Sequence, residues 1–291
     1  MKNKNKQRVN RIYKATLFAM LFEDRNSLLE LYNAINKSNY TDPGLLEINT
    51  LENAIYMSIK NDVSFIIDGR LSLYEHQSTY NPNIPLRFLF YISNLYSGIT
   101  KDNNLYGTKA IALPTPEFII FYNGEEERPE KEILKLSDLY SIRNKEFHLE
   151  LKAELLNIQG NYNTTLKKAC RTLREYSIFT DKIRAYAKTM SVEDAVDISI
   201  KECIQADILR EFLTKNKAEA RTVSIFEYDQ EKHLKMERME AWEEGRTAGI
   251  EEEKLDLIAK KIQKGKTPSQ IADDLEETET TIRELMKKLP K

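Results

Sequence analysis

Residues 62–77 read DVSFIIDGRLSLYEHQ and contain two runs of alternating apolar residues around a central Asp68-Gly69. Alternation of this kind predicts β-strands, and it rests here on Val63, Phe65, Ile67, Leu71 and Leu73. An Asp-Gly pair between two such runs is a strong signal for a two-residue hairpin loop. We therefore expect a β-hairpin whose two strands are joined at Asp68-Gly69.

The hairpin register follows by counting outward from that loop. Ile67 pairs with Arg70, and Asp62 then falls directly opposite Glu75. Directly opposite residues have Cβ atoms about 5 Å apart. Gln77 lies two residues beyond Glu75 and so projects from the same face. The sequence thus predicts two carboxylates and one amide together at the open end of the hairpin.

Two adjacent carboxylates repel each other unless one of them holds a proton or a cation lies between them. Hard divalent cations prefer oxygen ligands, so we expect Mg²⁺ or Mn²⁺ at Asp62 and Glu75. Such an ion can polarise a phosphodiester and orient an attacking water. Gln77 can position that water, but it lacks the positive charge of a lysine.

The rest of the chain predicts an α/β fold in which a small mixed sheet is flanked by helices. A helix is expected over Leu86–Tyr96, and Phe118–Tyr122 reads as a buried strand beside the hairpin. The remainder reads as mostly helical, at roughly 150–185, 190–216 and 229–262, followed by two short helices. We divide the chain into a core (1–150), a helical extension (151–228), a charged helical connector (229–254) and a small helical module (255–291).

A wider set of motifs resembles the Rpn-like PD-(D/E)XK nuclease family transposases. In Asn61-Asp62 and Glu75-His76-Gln77 the spacing is similar to the D…E-x-K signature, with Gln in place of Lys. The similarity extends over DVSF (62–65), LYEHQSTYNPN (73–83), PLR (85–87), LPTP (113–116) and FYNG (121–124).

This resemblance implies a restriction-endonuclease-like core and metal-dependent DNA cleavage that serves recombination or transposition. Asp62 and Glu75 would bind the metal, and Gln77 would take the lysine position. Members of the superfamily often add an acidic residue from the first helix, for which Glu30 and Glu23 are candidates. The resemblance also implies that Gln is tolerated in the lysine position, as it is in other nucleases of the superfamily.

Several residues near the motifs have an ordinary structural interpretation beside the functional one. Arg87 either binds a phosphate or supports Glu75, and a structural salt bridge is the alternative to both. His76 alternates away from Glu75, so a packed or hydrogen-bonded ring on the other face is favoured. The basic residues from Lys2 to Lys14 either contact a DNA backbone or form a solubilising tail.

The C-terminal segment resembles a small helix-turn-helix unit. Thr267-Pro268 predicts the start of one helix, and Thr278 or Thr280 caps the next. Thr281 and Arg283 would then begin a recognition helix that contacts DNA. Neighbouring glutamates are unfavourable beside phosphate, so a docking or oligomerisation module is an equal alternative.

The composition of the chain excludes several other kinds of protein. The 291 residues carry a net charge of −2, which argues against nonspecific coating of nucleic acid. The two cysteines, Cys170 and Cys203, form no metal-binding or disulfide pattern, and no apolar segment predicts membrane insertion. We expect a cytoplasmic enzyme that acts on DNA, with homo-oligomerisation left open. The rival hypotheses are a non-catalytic DNA-binding member of the family and a protein-interaction component of a mobile-element or toxin system.

Overall fold

The computed structural model describes residues 16–49, 62–143 and 146–289, so the basic stretch from Lys2 to Lys14 lies outside the described residues. Within these ranges the fold is α/β, with a six-stranded mixed sheet in the order β1-β2-β3-β4-β6-β5. The strands are β1 (Glu47–Ile48), β2 (Val63–Ile67), β3 (Arg70–Gln77), β4 (Thr115–Tyr122), β5 (Lys131–Lys135) and β6 (Lys152–Asn157).

The predicted hairpin and its register are confirmed. Asp68 and Gly69 join β2 to β3 with φ values of 49° and 73°, which are the positive angles that a type I′ turn requires. Ile67 pairs with Arg70, and the ladder continues to Val63 opposite Tyr74. The paired residues end there, and Asp62 and Glu75 are the next positions outward on the two chains.

The hairpin lies at the antiparallel side of a partly parallel sheet. β3 pairs in parallel with β4, and β4 pairs in parallel with β6. β1 and β5 form the two antiparallel edges. The strand predicted at Phe118–Tyr122 is therefore β4, and it lies beside the hairpin as expected.

Helices cover both faces of the sheet. The α-helices of the described residues are α1 (Leu17–Phe22), α2 (Arg25–Asn36), α3 (Ile84–Ile99), α4 (Thr164–Ala169), α5 (Arg171–Ala187), α6 (Val192–Gln205), α7 (Arg210–Lys215), α8 (Lys217–Gln263), α9 (Pro268–Leu275) and α10 (Glu279–Met286), and those of the first unit, Met1–Glu231, cover the sheet. On one face Phe65, Tyr74 and Phe121 pack with α1, α2, α5, α6 and the start of α8. On the other, Leu71 and Leu73 pack against α3. Alternation along β3 thus sends successive side chains into two different cores.

The helix predicted to begin near residue 150 is wrong in its first part. Residues 152–157, KAELLN, form β6 between β4 and β5. These residue types favour a helix locally, but pairing on both sides of the strand outweighs that preference. Sheet residues therefore occur in the segment that we predicted as a helical extension.

The backbone contacts divide the chain into two compact units, Met1–Glu231 and Lys232–Lys291. In the second unit, α9 and α10 pack with the end of α8 around Ile258, Ile271 and Ile282. The predicted caps are confirmed: Thr267 forms a capping box with Gln270, and Thr278 caps α10. None of the described helices has the length and apolar character needed to traverse a lipid bilayer.

Candidate active site

Asp62 and Glu75 meet at the end of the hairpin. Asp62 immediately precedes β2, and Glu75 lies in β3 between β2 and β4. Glu75 is only 4% exposed, while Asp62 is partly exposed. The two predicted carboxylates are close enough for the charge of Asp62 to act on Glu75, with Glu75 buried in the sheet and Asp62 immediately before β2.

Asp62 is held by two donors from different parts of the chain. Its Oδ1 accepts a hydrogen bond from the Thr16 hydroxyl at 3.1 Å. Its Oδ2 accepts from the backbone N–H of His76 at 2.7 Å. Each carboxylate oxygen has two lone pairs, so each retains one that can bind a further ligand.

In the part of the chain that the structure describes, only one of the two carboxylate oxygens of Glu75 has a protein partner. The Arg87 guanidinium of α3 forms an ion pair with Oε1, and Arg87 Nη2 and Nε also donate to the Tyr91 hydroxyl at 2.8 and 3.1 Å. The other oxygen, Oε2, is buried without a hydrogen-bond partner. An unpartnered buried carboxylate oxygen costs free energy, so this atom marks an open ligand position.

The electrostatics of the pair favour a bound proton or cation. Burial, and then the charge of Asp62, raise the pKa of Glu75 to about 8, although Arg87 opposes the shift. Burial also raises the pKa of Asp62, against the hydrogen bonds from His76 and Thr16. Two negative charges are therefore disfavoured at this place, and a bound proton or cation relieves the repulsion.

Gln77 ends β3 on the same face as Glu75 and is partly exposed. Its backbone carbonyl accepts from the N–H of Asn123 at 2.9 Å. The FYNG motif thus continues the sheet pairing beyond β4 and fixes the backbone of Gln77. By the alternation of the strand, Gln77 projects from the same face of β3 as Glu75, two residues further along.

The donor set fits a divalent cation. Within the described residues no group of three or more His, Cys, Asp or Glu side chains could hold a metal ion. Mg²⁺, however, commonly uses one or two carboxylates and completes its shell with water and substrate phosphate. Glu75 Oε2 and the free lone pairs of Asp62 supply ligands of that kind.

Comparisons of the chain with protein-family models, curated proteins and solved structures found no match. The resemblance to the Rpn-like PD-(D/E)XK nucleases therefore remains a prediction. It rests on the quoted motifs.

The first-helix acidic candidates lie elsewhere in the structure. Glu30 accepts hydrogen bonds from the backbone N–H of Arg171 at 2.7 Å and from the Thr172 hydroxyl at 3.2 Å, so it binds the start of α5. Glu23 is exposed at the end of α1. The described contacts do not bring Glu30 to Asp62 and Glu75, because its face of α2 is directed to α5.

The predicted DNA-contact residues of the C-terminal unit have partners within their own helix. Arg283 pairs with Glu279 at 2.6 Å, and the hydroxyls of Thr281 and Thr278 lie 2.8 Å apart. Both interactions stabilise α10 locally. The charge of Arg283 is paired with Glu279, so the structure adds no support for DNA contact by Thr281 and Arg283.

His76 is a packed histidine, as the alternation predicted. Its Nε2 lies 2.8 Å from the Tyr176 hydroxyl, and its ring stacks on Phe18 with centroids 5.6 Å apart. Burial, and then the charge of Arg184, lower the pKa of His76 to about 3. The neutral ring anchors the backbone segment that holds Asp62.

Sequence reasoning missed Thr16 and Tyr176. Thr16 also caps α1 through the N–H of Ala19, and a threonine before an apolar helix is a recognisable cap signal. That signal places a helix start, but it does not reveal a contact with Asp62 46 residues away. Tyr176 lies 100 residues from His76 in sequence, beyond the reach of any local pattern.

Proposed function

We propose that this protein is a DNA endonuclease that hydrolyses phosphodiester bonds with Mg²⁺ or Mn²⁺. The observation that carries the proposal is the Asp62–Glu75 pair, in which Glu75 Oε2 is buried and unpartnered. Burial and mutual repulsion disfavour two negative charges at this place, and a hard cation relieves both. The family resemblance of residues 62–87 supports DNA as the substrate and recombination or transposition as the process.

The residues of the pair would hold the metal. Asp62 would use the lone pairs that Thr16 and His76 leave free, and Glu75 would use Oε2. When bound, the ion supplies Lewis-acid polarisation of the phosphodiester and neutralises its charge. Among Asp62, Glu75 and Gln77, only the carboxylates can accept a proton from an attacking water.

Gln77 and Arg87 would position the reactants. The Gln77 amide can accept from and donate to a water at the end of β3. Arg87 has a side chain that is 38% exposed, and its guanidinium can donate to a phosphate oxygen while it remains beside Glu75. Positioning of this kind lowers the barrier because it reduces the entropy cost of bringing the reactants together.

The decisive experiment is cleavage of supercoiled plasmid with Mg²⁺ or Mn²⁺. Wild type is compared with Asp62→Asn, Glu75→Gln and Glu30→Gln. We expect nicking that depends on metal, is lost in the first two variants and persists in the third. Absence of cleavage by a folded wild type with either metal would overturn the proposal.

A second candidate is a family member that binds DNA without cutting it. Gln77 favours this hypothesis because it cannot supply the positive charge of a lysine, and Arg87 already occupies Glu75 Oε1. Substitution Gln77→Lys separates the two candidates. If the Lys variant cleaves plasmid and wild type only binds it, the chain is a binding protein with a degenerate site.

A further inference from the structure

One face of α8 in the second unit exposes large apolar side chains. Met239 and Trp242 are each 64% exposed, and Ile250 is 47% exposed. At 100° per residue, these residues and Leu257 lie on the same side of the helix. Several large apolar side chains exposed on one side of a helix point to an interaction surface.

The same face contains a glycine in the middle of the helix. Gly249 is exposed, and a Cβ atom built on it meets no atom within 4 Å. Glycine inside a helix costs about 1 kcal/mol relative to alanine. Its presence here is explained if another backbone approaches closely at this point.

Two opposite charges near the centre of this face are placed symmetrically about Gly249-Ile250. Arg246 lies three residues before Gly249, and Glu253 lies three residues after Ile250. The two large apolar residues follow the same rule, since Trp242 and Leu257 each lie seven residues outside that centre. A surface with this arrangement is complementary to an antiparallel copy of itself.

We propose that this face, defined by Met239, Trp242, Arg246, Gly249, Ile250, Glu253 and Leu257, binds the same face of a second copy of the chain. The two helices run antiparallel and cross at Gly249-Ile250. Ile250 of each copy covers the glycine of the other. Arg246 faces Glu253 of the other copy, and Trp242 faces Leu257.

The charges select the antiparallel arrangement over a parallel one. In a parallel pair in register, Arg246 would lie opposite Arg246 of the second copy, and Glu253 opposite Glu253. These like charges would repel. In the antiparallel pair both contacts become attractive. Arg246 also lies 5.4 Å from the centre of the Trp242 ring, so it already orders the tryptophan on this face.

The test uses the full chain and the fluorescence of Trp242, which is its only tryptophan. Sedimentation equilibrium measures the oligomeric state, and the emission wavelength is followed over a dilution series. We expect a dimer whose emission shifts to longer wavelength as it dissociates. A monomer at all concentrations would overturn the proposal. So would an emission wavelength of Trp242 that does not change when the dimer dissociates.

Charge exchange tests the orientation. Arg246→Glu and Glu253→Arg each weaken dimerisation by about tenfold or more, and the double variant restores it. Gly249→Leu weakens it by at least as much, whereas Ile262→Ala, an exposed apolar residue on another face of α8, leaves it unchanged. Because circular dichroism checks the helix content of each variant, unfolding is distinguished from dissociation. A dimer that resists both charge variants and Gly249→Leu would show that another surface is responsible.

Discussion

The backbone N–H of His76 donates a 2.7 Å hydrogen bond to Asp62, while the ring of His76 packs against Phe18 and Tyr176. One residue of β3 therefore links this aromatic core to the Asp62 carboxylate. The geometry of the pair depends on that core as well as on its own side chains.

Thr16 is expected to position Asp62. Thr16→Val removes the 3.1 Å hydrogen bond to Oδ1 and the cap of α1. Loss of an outer-shell donor typically lowers metal affinity or activity by about tenfold or more. We therefore expect the Mg²⁺ concentration for half-maximal cleavage to rise. Thr16→Ser is the matched control, since it keeps the hydroxyl, and an unchanged Mg²⁺ requirement in Thr16→Val would contradict the assignment.

Arg87 is expected to control the protonation of Glu75. Its charge lowers the pKa of Glu75 against the larger effect of burial. Arg87→Gln should therefore move the pH dependence of cleavage to higher pH, because Glu75 then loses its proton later. The measurement is a pH–rate profile of wild type, Arg87→Gln and Arg87→Lys. An identical profile in all three would leave Arg87 with a purely structural role.

Glu75 should make the metal-free protein less stable as pH rises. Its pKa is about 8 in the fold against 4.5 for the free group, so the native state binds more protons than the unfolded state between these values. The stabilisation is complete below about pH 4.5 and is lost towards pH 8, with a slope of at most about 1.4 kcal/mol per pH unit.

Denaturant unfolding in the presence of a chelator, over a pH series, checks this trend. Glu75→Gln should lack the contribution. If both proteins show the same slope of unfolding free energy against pH, another group causes it. Added Mg²⁺ should stabilise wild type most near pH 8, where the proton no longer competes.

Gly124 should tolerate no side chain. A Cβ atom there would clash with the backbone oxygen of Ser78 and the hydroxyl of Tyr122. We expect Gly124→Ala to lower the free energy of unfolding by about 1–3 kcal/mol. Gly98→Ala in α3 is the control, because nothing lies within 4 Å of its Cβ, and it should stabilise by about 0.5–1 kcal/mol. Equal stability of the two variants would refute the clash.

The hairpin could be predicted from the sequence because the residues that determine it are neighbours in the chain. Asp68-Gly69 specifies the turn, and the alternation of Phe65 and Ile67 specifies the face. The register, and with it the Asp62–Glu75 pair, then follows by counting. α3 and β4 were predictable for the same reason, since prolines and Asn123-Gly124 bound them.

The remaining features depend on contacts that no local pattern encodes. β6 was read as helix because its residues favour one and its two partner strands are distant in sequence. Glu30 was a reasonable acidic candidate, yet the rotation of α2 directs it to the start of α5. Thr16 reaches Asp62 only after α1 has packed on the sheet.

The Asp62–Glu75 pair depends on the number of residues between the turn and each carboxylate. The site is therefore sensitive to insertions and deletions in the hairpin. Inserting or deleting one residue between Asp62 and Glu75 would shift the ladder by one position and send one carboxylate to the opposite face. Substitutions in the loop preserve the match as long as the loop keeps two residues. Natural variation in this hairpin is therefore expected to conserve its length more strictly than the identity of its individual residues.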